Sequence, residues 1–304
     1  MTLAATTRVG GAAAVVLASA ALGMSAEAPL RQRPDFTAAT RLVRLEVTVK
    51  NARGEIVTDL QRDAFRVYED GRPQTIAFFT RDDVPVSLGL LIDNSGSMRS
   101  LRTRVESAAL TLARASNPLD ELFVLNFADT PRIDVPFTSD IGVLERGIAR
   151  VDSIGGTALR DAVLLGEWYV SQGSCDRRAL VIVTDGRDNG SAASMGQITH
   201  RAEAAGIVIH AIGLMHEGRT AAKTIDDLDH LAERTGGVAY HPPSLEAIDA
   251  VASDLARQIR QRYTIAYSPS NQALDGSRRR IAIRIAGTQR LEVLTRTSYI
   301  ASPP

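Results

Sequence analysis

The region from residue 84 to residue 262 alternates apolar runs with amphipathic stretches, and this alternation constrains the fold more than any other feature. Predicted strands cover 86–92, 121–128, 131–137, 178–184, 207–213 and 238–241. Predicted helices cover 100–115, 140–151, 158–171, 193–205, 222–235 and 244–261. Alternation of this length predicts an α/β fold, in which helices cover both faces of a doubly wound, mostly parallel six-stranded sheet. The polar-alternating piece at 131–137 is expected to form a hairpin with the strand before it.

The two flanks of this region have the period-two alternation of half-buried strands instead. In the first flank, runs at 65–69 and 75–79 surround Asp70-Gly71, a turn signal that predicts a hairpin between them. Neither flank has enough strands to bury a core alone. We therefore expect residues 40–82 and 263–300 to pair into one small β-sandwich, with an α/β domain at 84–262 inserted between them.

The first 28 residues have the pattern of a secretory signal peptide. Arg8 gives a short positive start, an apolar stretch runs from Gly10 to Met24, and Ala26-Glu27-Ala28 is an A-x-A cleavage site. The apolar stretch is short for a membrane span, although an uncleaved anchor or a disordered tail remains an alternative. Residues 29–39 are predicted to be a linker. No later segment is predicted to span a bilayer, so we expect an exported protein, periplasmic, on the cell surface or secreted.

Composition excludes several classes of function. Lysine plus arginine and aspartate plus glutamate both number 35, and this balance argues against nucleic-acid binding. The basic run Arg278-Arg279-Arg280 is interpreted as a solvated hairpin end. The single cysteine, Cys175, cannot form an internal disulfide. Without a Walker phosphate loop or G-x-G-x-x-G, nucleotide binding is not supported.

Trp168 and Tyr169 lie on a predicted helix near other apolar positions and are expected in the core.

Oxygen-bearing side chains follow the strand at 86–92, at Asp93, Ser95 and Ser97. In a doubly wound sheet of strand order 3-2-1-4-5-6, the first and fourth strands are neighbours, and ligands bind at their carboxyl ends. The fourth strand ends at Asp185, and a glycine-rich loop ahead of it carries Thr157. Such oxygens are hard donors that suit Mg²⁺ or Mn²⁺. The sequence therefore predicts a metal site where these three segments converge.

These motifs resemble the metal-ion-dependent adhesion site of von Willebrand factor A domains. Asp93-x-Ser95-x-Ser97, the threonine of Gly155-Gly156-Thr157 and the aspartate of Thr184-Asp185-Gly186 supply every element of that motif, in order. The resemblance covers roughly residues 84–262. The flanking β segments, with 65–71 ahead and 296–299 at the end, are similar to those of an exported bacterial family related to von Willebrand factor A.

The resemblance implies a function as well as a fold. Ser95, Ser97 and Thr157 are expected to bind the metal through their hydroxyls, and Asp93 and Asp185 mainly through bound water. The ion would be Mg²⁺, with Mn²⁺ or Ca²⁺ as alternatives. Because neutral ligands leave the ion's charge poorly compensated, it would attract an external carboxylate, an Asp or Glu of a protein partner. The sequence thus predicts a binding protein that is not an enzyme.

Other interpretations stay open. The segment after the first strand could be only a turn and helix N-cap, or the metal could serve stability alone in a structural component of a cell-envelope complex. Asp188 and Asn189 hint at a calcium loop, but EF-hand spacing is absent, so a solvated loop is expected. Asp161 would either orient the Thr157 loop or favour the helix dipole. Ser95, Asp185 and His210 occur in the order of a hydrolase triad, but the nucleophile elbow is missing and His210 is expected in the core.

Overall fold

Burial divides the strands of this protein into two kinds, as the sequence pattern predicts. In the computed structural model, which describes residues 42–149, 155–185, 187–214, 219–287 and 290–301, the strand at 86–93 is buried at every position. The strand at 43–50 instead has buried residues mostly at alternate positions. Full burial is expected of a sheet that is covered on both faces, and alternation of a sheet with one solvated face.

The described residues contain strands and helices in the following chain order. The strands are β1 (Val43–Lys50), β2 (Phe65–Glu69), β3 (Arg72–Gln74), β4 (Ile76–Thr80), β5 (Val86–Asp93), β6 (Glu121–Phe127), β7 (Pro131–Thr138), β8 (Arg177–Thr184), β9 (Val208–Gly213), β10 (Ala239–Tyr240), β11 (Tyr263–Tyr267), β12 (Arg278–Ile285), β13 (Glu292–Leu294) and β14 (Ser298–Ile300). The α-helices are α1 (Arg102–Arg114), α2 (Ile141–Ile148), α3 (Leu159–Val170), α4 (Met195–Ala205), α5 (Arg219–Thr235) and α6 (Ile248–Arg260).

Strands β5 to β10 form the central sheet, in the order β10-β9-β8-β5-β6-β7. All neighbouring pairs in it are parallel except β6 and β7, which form the predicted antiparallel hairpin. This order is the predicted 3-2-1-4-5-6, and the doubly wound α/β fold is confirmed. One apolar core lies between the sheet and helices α1, α2 and α6, and a second lies between the sheet and helices α3, α4 and α5.

The remaining strands form two sheets, in the orders β13-β1-β11-β4 and β14-β12-β2-β3. Each sheet combines strands from both flanks of the α/β region, so the flanks pair with one another as predicted. A shared core of alternate residues, including Leu45, Phe65, Tyr263 and Ile281, joins the two sheets face to face. Residues 40–304 group as one compact unit, so a boundary between two domains near 84 and 262 stays a proposal.

The predicted hairpin between 65–69 and 75–79 is wrong in its second strand. The turn at Asp70-Gly71 connects β2 to the short strand β3, with Glu69 opposite Arg72. Both turn residues have positive φ, 48° and 81°, as a two-residue type I′ turn requires. The chain then leaves this sheet, and β4 pairs with β11 in the other one. The residues predicted to complete the hairpin therefore connect the two layers of the sandwich.

Two further expectations about side chains are corrected. Arg279 is buried rather than solvated, and it pairs with Asp275 at 3.1 Å at the start of β12. Arg278, next to it, pairs with the buried Glu203 of helix α4. Trp168 is 54% exposed, whereas its neighbour Tyr169 packs on Phe123 and takes the inward position on α3.

The predicted signal peptide and linker, residues 1–39, lie outside the described residues. Within the described part of the chain, none of the helices combines the length and apolar character needed to cross a bilayer.

Candidate metal centre

Asp93 is the last residue of β5 and lies beside the end of β8. In the parallel register Ile92 is opposite Val183, which brings Asp93 next to Thr184. The Thr184 hydroxyl donates a 2.6 Å hydrogen bond to Asp93 Oδ2, and the Ser95 backbone N–H donates a 2.9 Å bond to Oδ1. The carboxylate is thus held between two adjacent strand ends.

Burial makes the Asp93 carboxyl group a weaker acid than usual. The residue is 1% exposed, and loss of solvation raises the pKa of Asp93 to about 6. The hydrogen bonds from Thr184 and Ser95 oppose this rise, and the negative charge of Asp185 adds to it. The carboxylate is therefore held in a place where its negative charge is poorly compensated by the protein, and a cation there would favour ionisation.

Ser95 and Ser97 lie at the start of a 3₁₀-helix that spans Gly96–Leu101. Ser95 is its N-cap residue, but the Ser95 side chain makes no capping hydrogen bond. The two hydroxyl oxygens are 3.1 Å apart, with Ser95 buried and Ser97 exposed. The capping role considered for this segment is therefore not performed by the Ser95 hydroxyl, which instead faces the Ser97 hydroxyl.

Hydrogen bonds of its backbone groups hold the glycine loop that carries Thr157 in place. The Gly96 N–H donates to the Gly155 carbonyl at 3.3 Å, which joins this loop to the serine segment. Gly156 N–H donates to Asp129 Oδ1 at 2.6 Å. Gly155 has φ of +93°, a conformation that favours glycine. These bonds hold the loop of Thr157, which is 2% exposed, beside the serine segment.

Asp185 follows the last residue of β8 and is 9% exposed. Its Oδ1 accepts a 3.3 Å hydrogen bond from the Arg187 backbone N–H. The predicted site residues therefore lie on three adjoining segments at the carboxyl ends of β5 and β8. That these side chains bind a metal stays a prediction.

Asp188 and Asn189 lie in a loop in which Asn189 is exposed, as expected, and both side chains also have structural roles. Asn189 Oδ1 accepts from the Thr157 backbone N–H at 2.8 Å, and the Asn189 and Gly190 N–H groups both donate to the Thr157 carbonyl. Asp188 pairs with Arg160 at 3.0 Å on the first turn of α3. The loop after β8 thus fixes the backbone of the predicted threonine ligand.

Asp161 lies in the first turn of α3, where its charge favours the helix dipole, and this is one of the two roles considered for it. Its oxygens accept hydrogen bonds from the backbone N–H groups of Ala192 and Ala193, at 3.0 and 2.8 Å. Asp161 therefore holds the segment that leads into α4.

A polar network that was not predicted from the sequence lies on the other side of Asp93. Asn94 donates to Asn126 at 2.7 Å, and Asn126 donates to Asp134 at 2.6 Å. Arg102 donates to Asn94 Oδ1 at 3.0 Å and anchors α1 to this network. The polar residue Asn126 within the apolar run of β6 was the sequence signal that could have revealed this network. The role of Asp129 at the glycine loop had no comparable sequence signal, because its partner is the backbone N–H of Gly156.

The donor set fits a hard cation. Among the described residues, no group of three or more His, Cys, Asp or Glu side chains could hold a metal ion. An ion held by the predicted residues at the ends of β5 and β8 would have two carboxylates, hydroxyls and water around it. Such a set suits Mg²⁺, which prefers octahedral oxygen ligation and retains water. The buried and poorly compensated Asp93 supports a cation at this place.

His210 does not complete a hydrolase triad with Ser95. The residue is fully buried in β9, as predicted. Its Nδ1 accepts from the Val238 backbone N–H at 3.1 Å, and its Nε2 lies 2.7 Å from a guanidinium nitrogen of Arg262. Because both ring nitrogens face other groups, neither is placed to accept a proton from Ser95.

Residues 88–187 match the family model of the von Willebrand factor type A domain. Together with the strand order and the helices on both faces, this match shows that the chain contains a von Willebrand factor A domain. None of the curated proteins matches the chain in sequence.

Solved structures with the same fold come from several organisms. A von Willebrand factor type A protein from Catenulispora acidiphila is 11% identical, with a TM-score of 0.52 over 86% of this chain and 75% of its own. Proximal thread matrix protein 1 from the mussel byssus, with a zinc-occupied metal-ion-dependent adhesion site, is 17% identical, with a TM-score of 0.53 over 63% of this chain and 50% of its own. The von Willebrand domain of a type V pilus tip protein from Porphyromonas gingivalis is 12% identical, with a TM-score of 0.50 over 58% of this chain and 95% of its own. At these identities the likeness shows the fold alone.

Proposed function

We propose that this protein is a non-enzymatic binding protein that captures a carboxylate of a protein partner through a divalent metal ion. The ion would be held by Asp93, Ser95, Ser97, Thr157 and Asp185. The observation that supports the proposal is the burial of Asp93 at the end of the central sheet, next to a segment in which the Ser95 and Ser97 hydroxyls lie 3.1 Å apart.

The balance of charge explains why such a site would bind an anion. Two carboxylates and three hydroxyls would surround a divalent cation, and carboxylates that act through water compensate its charge only weakly. Ser97 is exposed, so the site faces solvent on this side. An Asp or Glu of a partner could therefore add a ligand in exchange for water. Mg²⁺ fits the oxygen donors best, with Mn²⁺ or Ca²⁺ as alternatives.

The place of action is also part of the proposal. We infer export from the signal-peptide pattern of residues 1–28, so the partner would be met in the periplasm, at the cell surface or outside the cell. The zinc-occupied site of the mussel protein and the pilus-tip role of the Porphyromonas protein are compatible with extracellular, metal-dependent binding by this fold.

Metal binding is tested first, with Mn²⁺ as the probe in isothermal titration calorimetry. Ser97→Ala removes an exposed hydroxyl, so we expect the folded variant to bind Mn²⁺ at least tenfold more weakly than the unmodified chain. Ser100→Ala, an exposed serine on the same 3₁₀-helix, is the matched control and should bind normally. Equal Mn²⁺ affinities for Ser97→Ala and Ser100→Ala would contradict the proposed ligand set.

Partner capture is tested separately, with the purified chain as bait in a cell-envelope extract. We expect proteins retained in Mg²⁺ to be released by EDTA, and not to be retained by Ser97→Ala. If Asp185→Ala instead unfolds without added metal and retention does not respond to EDTA, the metal site has a structural role. Ester hydrolysis that disappears in Ser95→Ala would favour the hydrolase interpretation.

A further inference from the structure

A second polar site lies at the opposite end of the central sheet. A cavity of about 250 Å³ opens between the amino ends of β5, β8 and β9, the end of α6 and strand β1 of the sandwich. We call it the arginine cavity, because its described lining includes Arg44, Arg177, Arg178, Arg262 and Arg296. Strand β8 runs from this cavity to Thr184, so the metal centre is roughly 23 Å away.

Positive charge in the arginine cavity exceeds negative charge. Among its described lining residues, the only carboxylates are Glu46 and Asp176. Glu46 is shared, since it pairs with Arg44 at 3.0 Å and with Arg177 at 3.1 Å. Asp176 is exposed, so water screens its charge. Five guanidinium groups thus face two carboxylates, and the excess is three positive charges.

Arg262 is the most deeply buried of the uncompensated cations. It is 6% exposed, and no carboxylate of the described residues forms an ion pair with it. Its Nε donates to the Gln258 carbonyl at 2.8 Å, and one terminal nitrogen lies 2.7 Å from His210 Nε2. Burial, together with repulsion from Arg177, lowers the pKa of Arg262 to about 10. Glu46 offsets this effect only in part, and a buried cation without an ion-pair partner is costly to the fold.

The contact between Arg262 and His210 contains an unmatched donor. His210 Nδ1 accepts from Val238 N–H, so the proton of the neutral ring is on Nε2. The Nε2–H then points at a guanidinium nitrogen that also carries hydrogens. The alternative tautomer only moves the conflict to Val238. An acceptor oxygen placed against both groups from the cavity would satisfy them together.

Two more donors in the same lining are unused. The Nε atoms of Arg178 and Arg296 are shielded from solvent and have no hydrogen-bond partner in the described structure. Arg296 Nη2 donates to the Arg44 carbonyl at 2.6 Å, which fixes this guanidinium at the edge of the cavity. Buried donors without partners each cost free energy, and a ligand with several acceptor oxygens would recover it.

From this cluster we propose that the arginine cavity binds a small free oxyanion of the phosphate class. The guanidinium groups approach from β1, from β8, from the second residue after α6 and from the segment between β13 and β14. A tetrahedral, doubly charged anion presents oxygens in all of these directions, whereas a planar carboxylate serves one or two guanidinium groups. The bound anion would connect the α/β region to the β-sandwich.

The test uses the full chain in EDTA, purified without phosphate or sulfate, and inorganic phosphate as the probe. At constant ionic strength, we expect calorimetry to show saturable binding that chloride does not reproduce. Arg296→Gln and Arg178→Gln should each weaken phosphate binding at least tenfold. Arg53→Gln changes an arginine whose side chain is 82% exposed and outside the cavity, and it should bind phosphate normally. Ser97→Ala should also bind phosphate normally, which separates this site from the metal centre.

Three results would overturn the proposal. The first is a lack of binding to the unmodified chain at millimolar phosphate. The second is an equal response to chloride, which would indicate a general effect of salt. The third is equal phosphate affinity in Arg178→Gln and Arg53→Gln. If Arg296→Gln fails to fold, Arg178→Gln decides the outcome, because the Arg178 side chain is only partly buried.

Discussion

The Thr184 hydroxyl donates a 2.6 Å hydrogen bond to Asp93 Oδ2 across the boundary between β8 and β5. This bond joins two strands that are 91 positions apart in sequence, and it supports the charge of the most deeply buried carboxylate of the candidate metal centre. Thr184 is not itself a predicted ligand, but it orients Asp93, which is one.

Thr184→Val should remove this support with little change in shape. We expect the pKa of Asp93 to rise further, because a hydrogen bond that lowers it is lost. Mn²⁺ affinity should fall roughly 10- to 100-fold, as is typical when a group that orients a ligand is removed. The free energy of unfolding should fall by about 2 kcal/mol. Calorimetric titration and urea denaturation measure the two effects.

Thr48→Val is the matched control for this substitution. Thr48 is also a buried threonine on a strand, but its hydroxyl has no hydrogen-bond partner in the described structure. Its replacement should leave Mn²⁺ affinity unchanged and stability equal or slightly higher. If both valine variants lose Mn²⁺ affinity equally, the Thr184–Asp93 bond has no special role.

Asp129→Ala should loosen the loop that carries Thr157. The Gly156 N–H loses its 2.6 Å acceptor, so Thr157 is held less firmly. We expect Mn²⁺ affinity to fall roughly tenfold, with little loss of secondary structure by circular dichroism. Asp176→Ala, an exposed aspartate at the opposite end of the sheet, should leave Mn²⁺ binding unchanged. An unaltered Mn²⁺ affinity in Asp129→Ala would show that the loop keeps its place without this bond.

Glu167 predicts a pH dependence of stability. This residue of α3 is 2% exposed, and burial raises the pKa of its carboxyl group to about 8, although Arg201 at 3.5 Å opposes the rise. The folded chain therefore keeps a proton that the unfolded chain releases above its ordinary pKa of 4.5. Stability should fall as pH rises from about 4.5 to about 8, by up to about 1.4 kcal/mol per pH unit, and level off above that range.

Glu167→Gln should remove most of this dependence, since glutamine does not ionise. Urea denaturation at pH 5 and pH 8.5 tests this, and the variant should be the more stable protein at pH 8.5. Glu233→Gln replaces an exposed glutamate of α5 and should keep the slope of the unmodified chain. Parallel slopes for all three proteins would mean that Glu167 is ionised in the folded state.

Glu203 connects helix α4 to the sandwich. Its side chain is fully buried, pairs with Arg234 and Arg278, and accepts from Ser298 at 2.9 Å. Glu203→Gln should cost about 3 kcal/mol, because two guanidinium groups lose their counter-charge. The exposed pair of Arg114 and Glu145 offers the control, and Glu145→Gln should cost less than about 1 kcal/mol. Urea denaturation measures both values, and similar losses would contradict a special role for Glu203.

The fold was predictable because its signals are periodic. Apolar runs and amphipathic stretches indicated a doubly wound sheet, and the strand order 3-2-1-4-5-6 of such sheets placed Asp93 beside the end of β8. The turn at Asp70-Gly71 was also recognised, but its second strand was misplaced, since local alternation does not say which sheet a strand joins. Only the pairing of β4 with β11 decides that.

Side-chain environments were less predictable from the sequence. Arg279 belongs to a basic run of the kind that is typical of solvent-exposed segments. It pairs instead with Asp70 and Asp275, which come from two separate turns. Asp129 accepts a hydrogen bond from the backbone N–H of Gly156, and a backbone contact of this kind does not depend on a recognisable sequence motif. The arginine cavity draws its charges from four segments spread along the chain, so no local pattern could indicate it.

The pairing of β1 with β11 also bears on how this chain must fold. Glu46 lies opposite Thr264, and the two residues are 218 positions apart. When the chain emerges from its amino end, β1 therefore waits with an unpaired edge until nearly all of the polypeptide has followed. Closing so large a loop is slow, and an open edge invites association with other chains. We therefore expect completion of the sandwich to be a late step of folding, and the interval before it to be when the nascent protein most needs protection from aggregation.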